Sequence, residues 1–132
     1  MKRKVLIIDD QPHLGRILRM MLEYSGYEVH QAAQMVQIAE SVRSFQPDVV
    51  ILDLNMPEKC GSQVASELID ICGIPAERII FFSGLISPDA PRVKQTPAGP
   101  MRFVSKTAPP REILDAVKKA LSARDVRPSL AA

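Results

Sequence analysis

The sequence predicts a three-layer α/β domain built on a parallel sheet, and three observations carry that expectation. The runs Val5-Leu6-Ile7-Ile8, Val49-Val50-Ile51-Leu52 and Ile79-Ile80-Phe81-Phe82 are continuously apolar and of strand length, without the alternation of a half-exposed strand. Between them lie stretches whose apolar residues recur at helical spacing. Each run stops abruptly at polar residues: Asp9-Asp10, Asp53 and Ser83-Gly84. Strands alternating with helices make βαβ units, and right-handed crossovers bring all their carboxyl ends to one rim.

Taken in order, the first strand is Val5 to Ile8, after which Pro12 suits the first turn of a helix, where its missing N–H costs nothing. Leu14, Ile17, Leu18, Met21 and Leu22 mark the inward stripe of that helix, and Gly26 stops it. Tyr27 to Gln31 alternates as a short second strand. Met35, Val36, Ile38, Ala39, Val42 and Phe45 then outline a second helix that ends before Pro47. The strand leading to Asp53 follows, then a loop punctuated by Met56-Pro57 and Gly61. Val64, Ala65, Leu68, Ile69 and Cys72 line a third helix closed by Gly73. After the fourth strand, Leu85 to Pro100 holds Pro88, Pro91, Pro97 and Pro100 with little periodicity. At most a short, broken helix fits there, because an interior proline costs about 3 kcal/mol. Met101 to Ser105 returns to strand composition and ends at Lys106. Ile113, Leu114, Val117, Ala120 and Leu121 form the stripe of a final helix.

A chain of 132 residues with 46% hydrophobic content supports a single core. The expected organisation is one domain over residues 1–123 and a flexible tail over 124–132. A net charge of +2, from scattered residues, is too balanced to indicate nucleic-acid binding through bulk charge. Cys60 and Cys72 have neither disulfide-framework nor zinc-site spacing, which fits a reducing, cytoplasmic setting. Only four apolar residues separate Lys4 from Asp9, too few for a secretory signal, and no later run reaches membrane-spanning length.

The polar residues ending the strands define the chemistry. Asp9, Asp10 and Asp53 gather three carboxylates on one edge, where mutual repulsion calls for a hard divalent cation. Oxygen-only ligation points to Mg²⁺, which commonly bridges carboxylates to a phosphoryl group. The Ser83 hydroxyl and the Lys106 ammonium add a hydrogen-bond donor and a compact positive charge, both suited to phosphoryl oxygens. With those groups around it, Asp53 is placed to act as a nucleophile and become an acyl phosphate, a product that hydrolyses spontaneously.

Asp9-Asp10, Asp53 with Met56-Pro57 and Gly61, Ser83-Gly84, and Lys106 together resemble the receiver domain of two-component response regulators. The resemblance runs from Lys4 to Leu121. It implies a (βα)5 flavodoxin-like fold of strand order 2-1-3-4-5, a signalling switch rather than an enzyme with an external substrate. It also implies phosphotransfer to Asp53 from a sensor histidine kinase or histidine phosphotransfer protein, with output by binding a downstream target protein, and no nucleic acid or membrane contact by this domain. By the same resemblance Asp10, Asp53 and the backbone carbonyl of Asn55 would ligate Mg²⁺, and Asp9 would act mostly through water. Ser83 and Lys106 would contact the phosphoryl oxygens. Phe103, which as an aromatic in a strand is also ordinary core material, would be the switch that turns inward as Ser83 moves.

Three features depart from that pattern. Thr107 stands where the family usually has a proline joined to the lysine by a cis bond, so either a trans bond with a shifted loop or a strained cis bond is expected. The proline-rich stretch replaces the family's fourth helix, and Ser83 replaces the commoner threonine. Asn55 and Leu85 would flank the path of attacking water, and an apolar Leu85 predicts a long-lived phosphoryl group. Two other functions compete: a phosphohydrolase using Asp53, which lacks an evident general acid or a cap, and a receiver that binds partners without phosphorylation. The domain could also be the receiver part of a longer DNA-binding or enzymatic regulator.

Overall fold

The computed structural model of the chain describes residues 2–9, 12–32, 38–53, 61–84, 86–87, 89–91, 93–96 and 99–125, the side chains of 12–15, 61–62, 96 and 123–125 excepted. Six strands, β1 (Lys4–Ile8), β2 (Glu28–Ala32), β3 (Val49–Asp53), β4 (Ile79–Ser83), β5 (Val93–Thr96) and β6 (Gly99–Ser105), form one sheet of order β2-β1-β3-β4-β6-β5. The helices are α1 (Pro12–Tyr24), α2 (Ile38–Phe45), α3 (Gly61–Asp70) and α4 (Pro110–Asp125). Every strand pair is parallel except β5 with β6.

The apolar runs are buried on both faces because helices cover both. Leu6, Ile8, Val50, Leu52, Ile79 and Phe81 meet α2 and α3 through Ile38, Val42, Val64, Ala65 and Leu68. Their sequence neighbours Val5, Ile7, Val49, Ile51 and Ile80 point to the other face, against Leu18 and Leu22 of α1 and Ile113, Val117, Ala120 and Leu121 of α4. Successive strand residues alternate between the faces, so an unbroken apolar run is what a doubly covered strand requires. The three-layer α/β class predicted from the sequence is the observed one.

Local signals act where the sequence places them. Gly26, at φ 98°, closes α1. The N–H of Tyr27 donates to the Leu22 carbonyl and that of Gly26 to the Glu23 carbonyl, the paired bonds of a Schellman stop. Gly73, at φ 75°, turns the chain after α3. Ile17 is 48% exposed rather than part of the inward stripe of α1. Leu18 and Leu22 centre that stripe, and a residue one helical step away from Leu18 falls at its edge.

The segment from Leu85 to Pro100 is the main departure. The five parallel strands keep the expected 2-1-3-4-5 sequence of neighbours, β6 taking the fifth place. The connection before β6, however, holds no helical turn among its described residues. It contains β5, an edge strand paired antiparallel to β6 in the register Val93↔Arg102 to Thr96↔Gly99. Prolines suppress a helix there, and Val93 to Thr96 supplies four residues free of proline that can complete a ladder. β6 accordingly begins at Gly99, earlier than the run from Met101 suggests.

The amino ends of the strands are clasped together. The Arg78 guanidinium, buried with the 3-10 turn Ala76–Arg78, donates to the backbone carbonyl of Asp48. The Asp48 carboxylate in turn accepts the N–H of Lys4 at 2.8 Å. The polar residues that end β3 and β4 lie at the opposite rim.

Gly99 starts β6 at φ 123°, a conformation open to glycine almost alone, while a Cβ there would meet only ordinary contact with Ala76 at 3.6 Å. Gly99→Ala is therefore expected to cost about 1–3 kcal/mol through backbone strain. Urea denaturation checks this as a lowered midpoint with an unchanged slope.

Candidate phosphoryl-acceptor site

The site is assembled from residues at, or one position beyond, the carboxyl ends of β1, β3, β4 and β6. Asp53 is the last residue of β3, the strand between β1 and β4, and is only 4% exposed. Asp9 follows β1 directly and is 3% exposed; its N–H donates to the Ala32 carbonyl, which anchors it to β2. Ser83 ends β4 and is wholly buried. Register aligns these ends, since Asp53 pairs with Phe82 and Ser83 with Ser105.

Lys106 follows β6 and reaches back across the rim. Its Nζ donates to Asp53 Oδ2 at 3.2 Å and lies 3.6 Å from Asp9 Oδ2. One ammonium thus faces two buried carboxylates, offsetting repulsion that burial would otherwise strengthen. The Lys106 backbone N–H donates to the Ser83 carbonyl at 3.0 Å, tying the root of the side chain to β4. Its ammonium also lies 5.8 Å from the Phe82 ring centre. The structure therefore brings together Asp9, Asp53, Ser83 and Lys106, four residues selected from the sequence. Asp10, Asn55 and Leu85, along with Met56, Pro57 and Cys60, lie outside the described residues.

The donor chemistry suits a hard divalent cation. Asp9 and Asp53 are buried carboxylates converging on one positive group, and oxygen is the only ligand atom they offer. Asp10 and the Asn55 carbonyl are the further oxygen donors that the resemblance implies.

Phe103 lies half-buried on β6, stacked on Phe81 of β4 with ring centres 4.9 Å apart and planes at 24°. It packs against the cluster containing Leu52 and Phe81. Lys94 of β5 lies over the same ring, its Nζ 5.1 Å from the centre. This contact had no sequence signal, because Lys94 sits in the stretch without periodicity. The bond between Lys106 and Thr107 is trans, the first of the two expected alternatives. Around it Ser105 and Thr107 form a hydroxyl pair at 2.8 Å, whose only trace in the sequence is the Ser-Lys-Thr order.

Cys72 packs against the core, and burial pushes its thiol above the usual value, with Arg43 opposing and Glu67 adding to the shift. A protonated thiol is a poor nucleophile. His30 makes a tilted contact with Phe45 at 5.3 Å. Among the described residues, no helix is long and apolar enough to cross a membrane.

Comparison with known proteins agrees with this geometry. Residues 5–118 match the family model of the response regulator receiver domain. The transcriptional regulatory protein SrrA of Staphylococcus aureus is 31% identical over 121 residues, covering 92% of this chain and 48% of its own length. The chain thus spans about half the length of the curated relatives it matches. A CheY-like receiver domain protein of Methanospirillum hungatei superposes with a TM-score of 0.79 at 20% identity, covering 96% of this chain and 99% of that one. The chemotaxis protein CheY4 of Vibrio cholerae superposes with a TM-score of 0.78 at 23% identity, covering 92% and 100%. With its buried acidic rim, its lysine and its doubly covered parallel sheet, this chain belongs to the response regulator receiver domain family, the phosphorylation-dependent switches of two-component signalling.

Proposed function

We propose that Asp53 accepts a phosphoryl group from a phosphohistidine on a sensor histidine kinase or histidine phosphotransfer protein, and that the phosphorylated domain acts by binding a downstream target protein. The observation that carries this reading is the Lys106 ammonium 3.2 Å from Asp53 and 3.6 Å from Asp9. A lysine so placed is already aimed at the atom where the phosphoryl group would be joined.

In the forward step an Asp53 carboxylate oxygen attacks phosphorus, the phosphorus–nitrogen bond to the donor imidazole breaks, and the imidazole recovers a proton from solvent. Lys106 moves from the bare carboxylate to a phosphoryl oxygen and meets the charge that develops there. Ser83 offers its hydroxyl to a second oxygen. Attack of water on the acyl phosphate returns Asp53 and releases inorganic phosphate. The domain's catalysis is confined to these two reactions of its own side chain. Receiver domains are generally Mg²⁺-dependent. Here Asp9, Asp10, Asp53 and the Asn55 carbonyl would hold the ion, Asp9 mostly through water, and when bound it would neutralise charge on the phosphoryl oxygens. Phe103 is the switch side chain, its ring already resting on Phe81.

Residues 1–123 act as the receiver unit, working in the cytoplasm without a nucleic-acid or membrane surface of their own. The half-length coverage of the curated relatives favours a second reading, in which this receiver is one part of a longer regulator.

Intact mass after incubation with acetyl phosphate and Mg²⁺ tests the acceptor. An adduct of about 80 Da is expected on the parent and none on Asp53→Asn; an adduct on both would place the acceptor elsewhere. Lys106→Ala is expected to slow formation of the adduct by about 10²-fold, as loss of a charge-stabilising donor does. At Leu85, which the resemblance assigns to the water path, Leu85→Asn is expected to hasten dephosphorylation, measured as decay of the adduct after donor removal.

A further inference from the structure

We infer that Ser105, working with Thr107, is the positioning residue that aims Lys106 at Asp53. This rests on the reading of Asp53 as phosphoryl acceptor and Lys106 as the group that meets its oxygens. Lys106 carries its charge at the end of four methylenes, so where the ammonium sits depends on how the backbone at its root is held. Ser105 holds that root through the bonds of its side chain to the next residue but one.

Ser105 is the last residue of β6 and is 3% exposed. Its hydroxyl oxygen accepts the Thr107 N–H at 3.1 Å and shares a hydrogen with Thr107 Oγ1 at 2.8 Å. Its backbone carbonyl accepts the Ala108 N–H at 3.1 Å. Together these bonds close a local side-chain-to-backbone turn around the trans bond between Lys106 and Thr107. On the other side the Lys106 N–H is fixed to the Ser83 carbonyl. Lys106 is therefore clamped between β4 and a hydroxyl-built turn. A proline at position 107 would have no N–H to give to Ser105, so the turn depends on the residue this chain has there.

The hydrogen bonds of the hydroxyl pair run to each other and to the Thr107 backbone, so its action on Asp53 passes through Lys106. Thr107 is exposed, so its N–H can turn to water once the Ser105 hydroxyl is removed. The consequence of losing the turn is misdirection of Lys106 rather than a large loss of stability.

The test compares Ser105→Ala, Thr107→Val and the conservative Thr107→Ser with the parent chain by two readouts. One is the saturation curve for Asp53 phosphorylation by acetyl phosphate. The other, which needs no phosphorylation, is the rate at which formaldehyde and a borohydride dimethylate Lys106, followed by peptide mass. In Ser105→Ala the maximal phosphorylation rate is expected to fall about tenfold, since a small misplacement of a reacting group is costly. The half-saturating donor concentration should stay within about twofold, because Lys106 acts on the transferring group rather than on donor capture. Dimethylation of Lys106 should quicken several-fold as the ammonium leaves the carboxylates. Thr107→Val should follow in the same direction with smaller changes, and Thr107→Ser should match the parent. Parental dimethylation rates in both Ser105→Ala and Thr107→Val would overturn the inference, whatever happened to phosphorylation. A parent that takes no phosphoryl group would instead remove the acceptor reading, while faster dimethylation in Ser105→Ala would still uphold the positioning of Lys106.

Discussion

A single ammonium shared by two buried carboxylates is the interaction on which this rim depends. Asp53 and Asp9 are almost without solvent, and two anions at the end of a closely packed sheet raise each other's energy unless a cation stands between them. Lys106 supplies that cation from a separate strand end. Its ammonium lies 3.2 Å from Asp53 Oδ2 and 3.6 Å from Asp9 Oδ2. The same charge balance makes the arrangement responsive: a phosphoryl group on Asp53 would change both the number and the position of the negative charges that Lys106 must meet. On the proposed function, the Lys106 ion pair seen here would become the contact to a phosphoryl group.

That balance is possible only because the sheet is parallel and covered on both faces. Register brings the ends of β3, β4 and β6 into line, so residues distant in sequence arrive at one edge as neighbours. At the opposite edge Arg78 and Asp48 satisfy backbone groups and close the strands together. One end of the sheet is thereby stitched and the other left polar. The polar end is also the end at which helices begin and loops have freedom to differ between relatives.

The edge beyond β4 is where this chain has its own character. β5 pairs antiparallel with β6 and sets Lys94 over the ring of Phe103, which also stacks on Phe81. The aromatic ring is contacted by residues of β4 and β5, two neighbours of its own strand in the sheet. β5 is short, lysine-bearing and preceded by Pro91, features that guard an exposed edge against unwanted strand pairing. The face presented there differs chemically from one made by a helix, with a strand edge and a basic side chain in its place.

Much of this was legible in the residues alone. Unbroken runs such as Val49 to Leu52 imply cover on both faces, because alternation is lost when neither face is wet, and Gly26 and Gly73 mark helix ends through backbone freedom that other residues lack. Given a parallel sheet, Asp9, Asp53, Ser83 and Lys106 had to share a rim. The sequence could not show β5, since four residues between prolines carry no periodicity, and their pairing depends on an edge of β6 that exists only once the sheet is built. Nor could it show that the Ser105 hydroxyl would turn back to Thr107, or that Ile17 would fall outside the stripe of its helix. Sequence by itself determined which residue types end each strand, because composition and period are local properties. Tertiary structure decided distance and direction, the 3.2 Å from Lys106 to Asp53 above all, because these are set by packing between elements that no local pattern records.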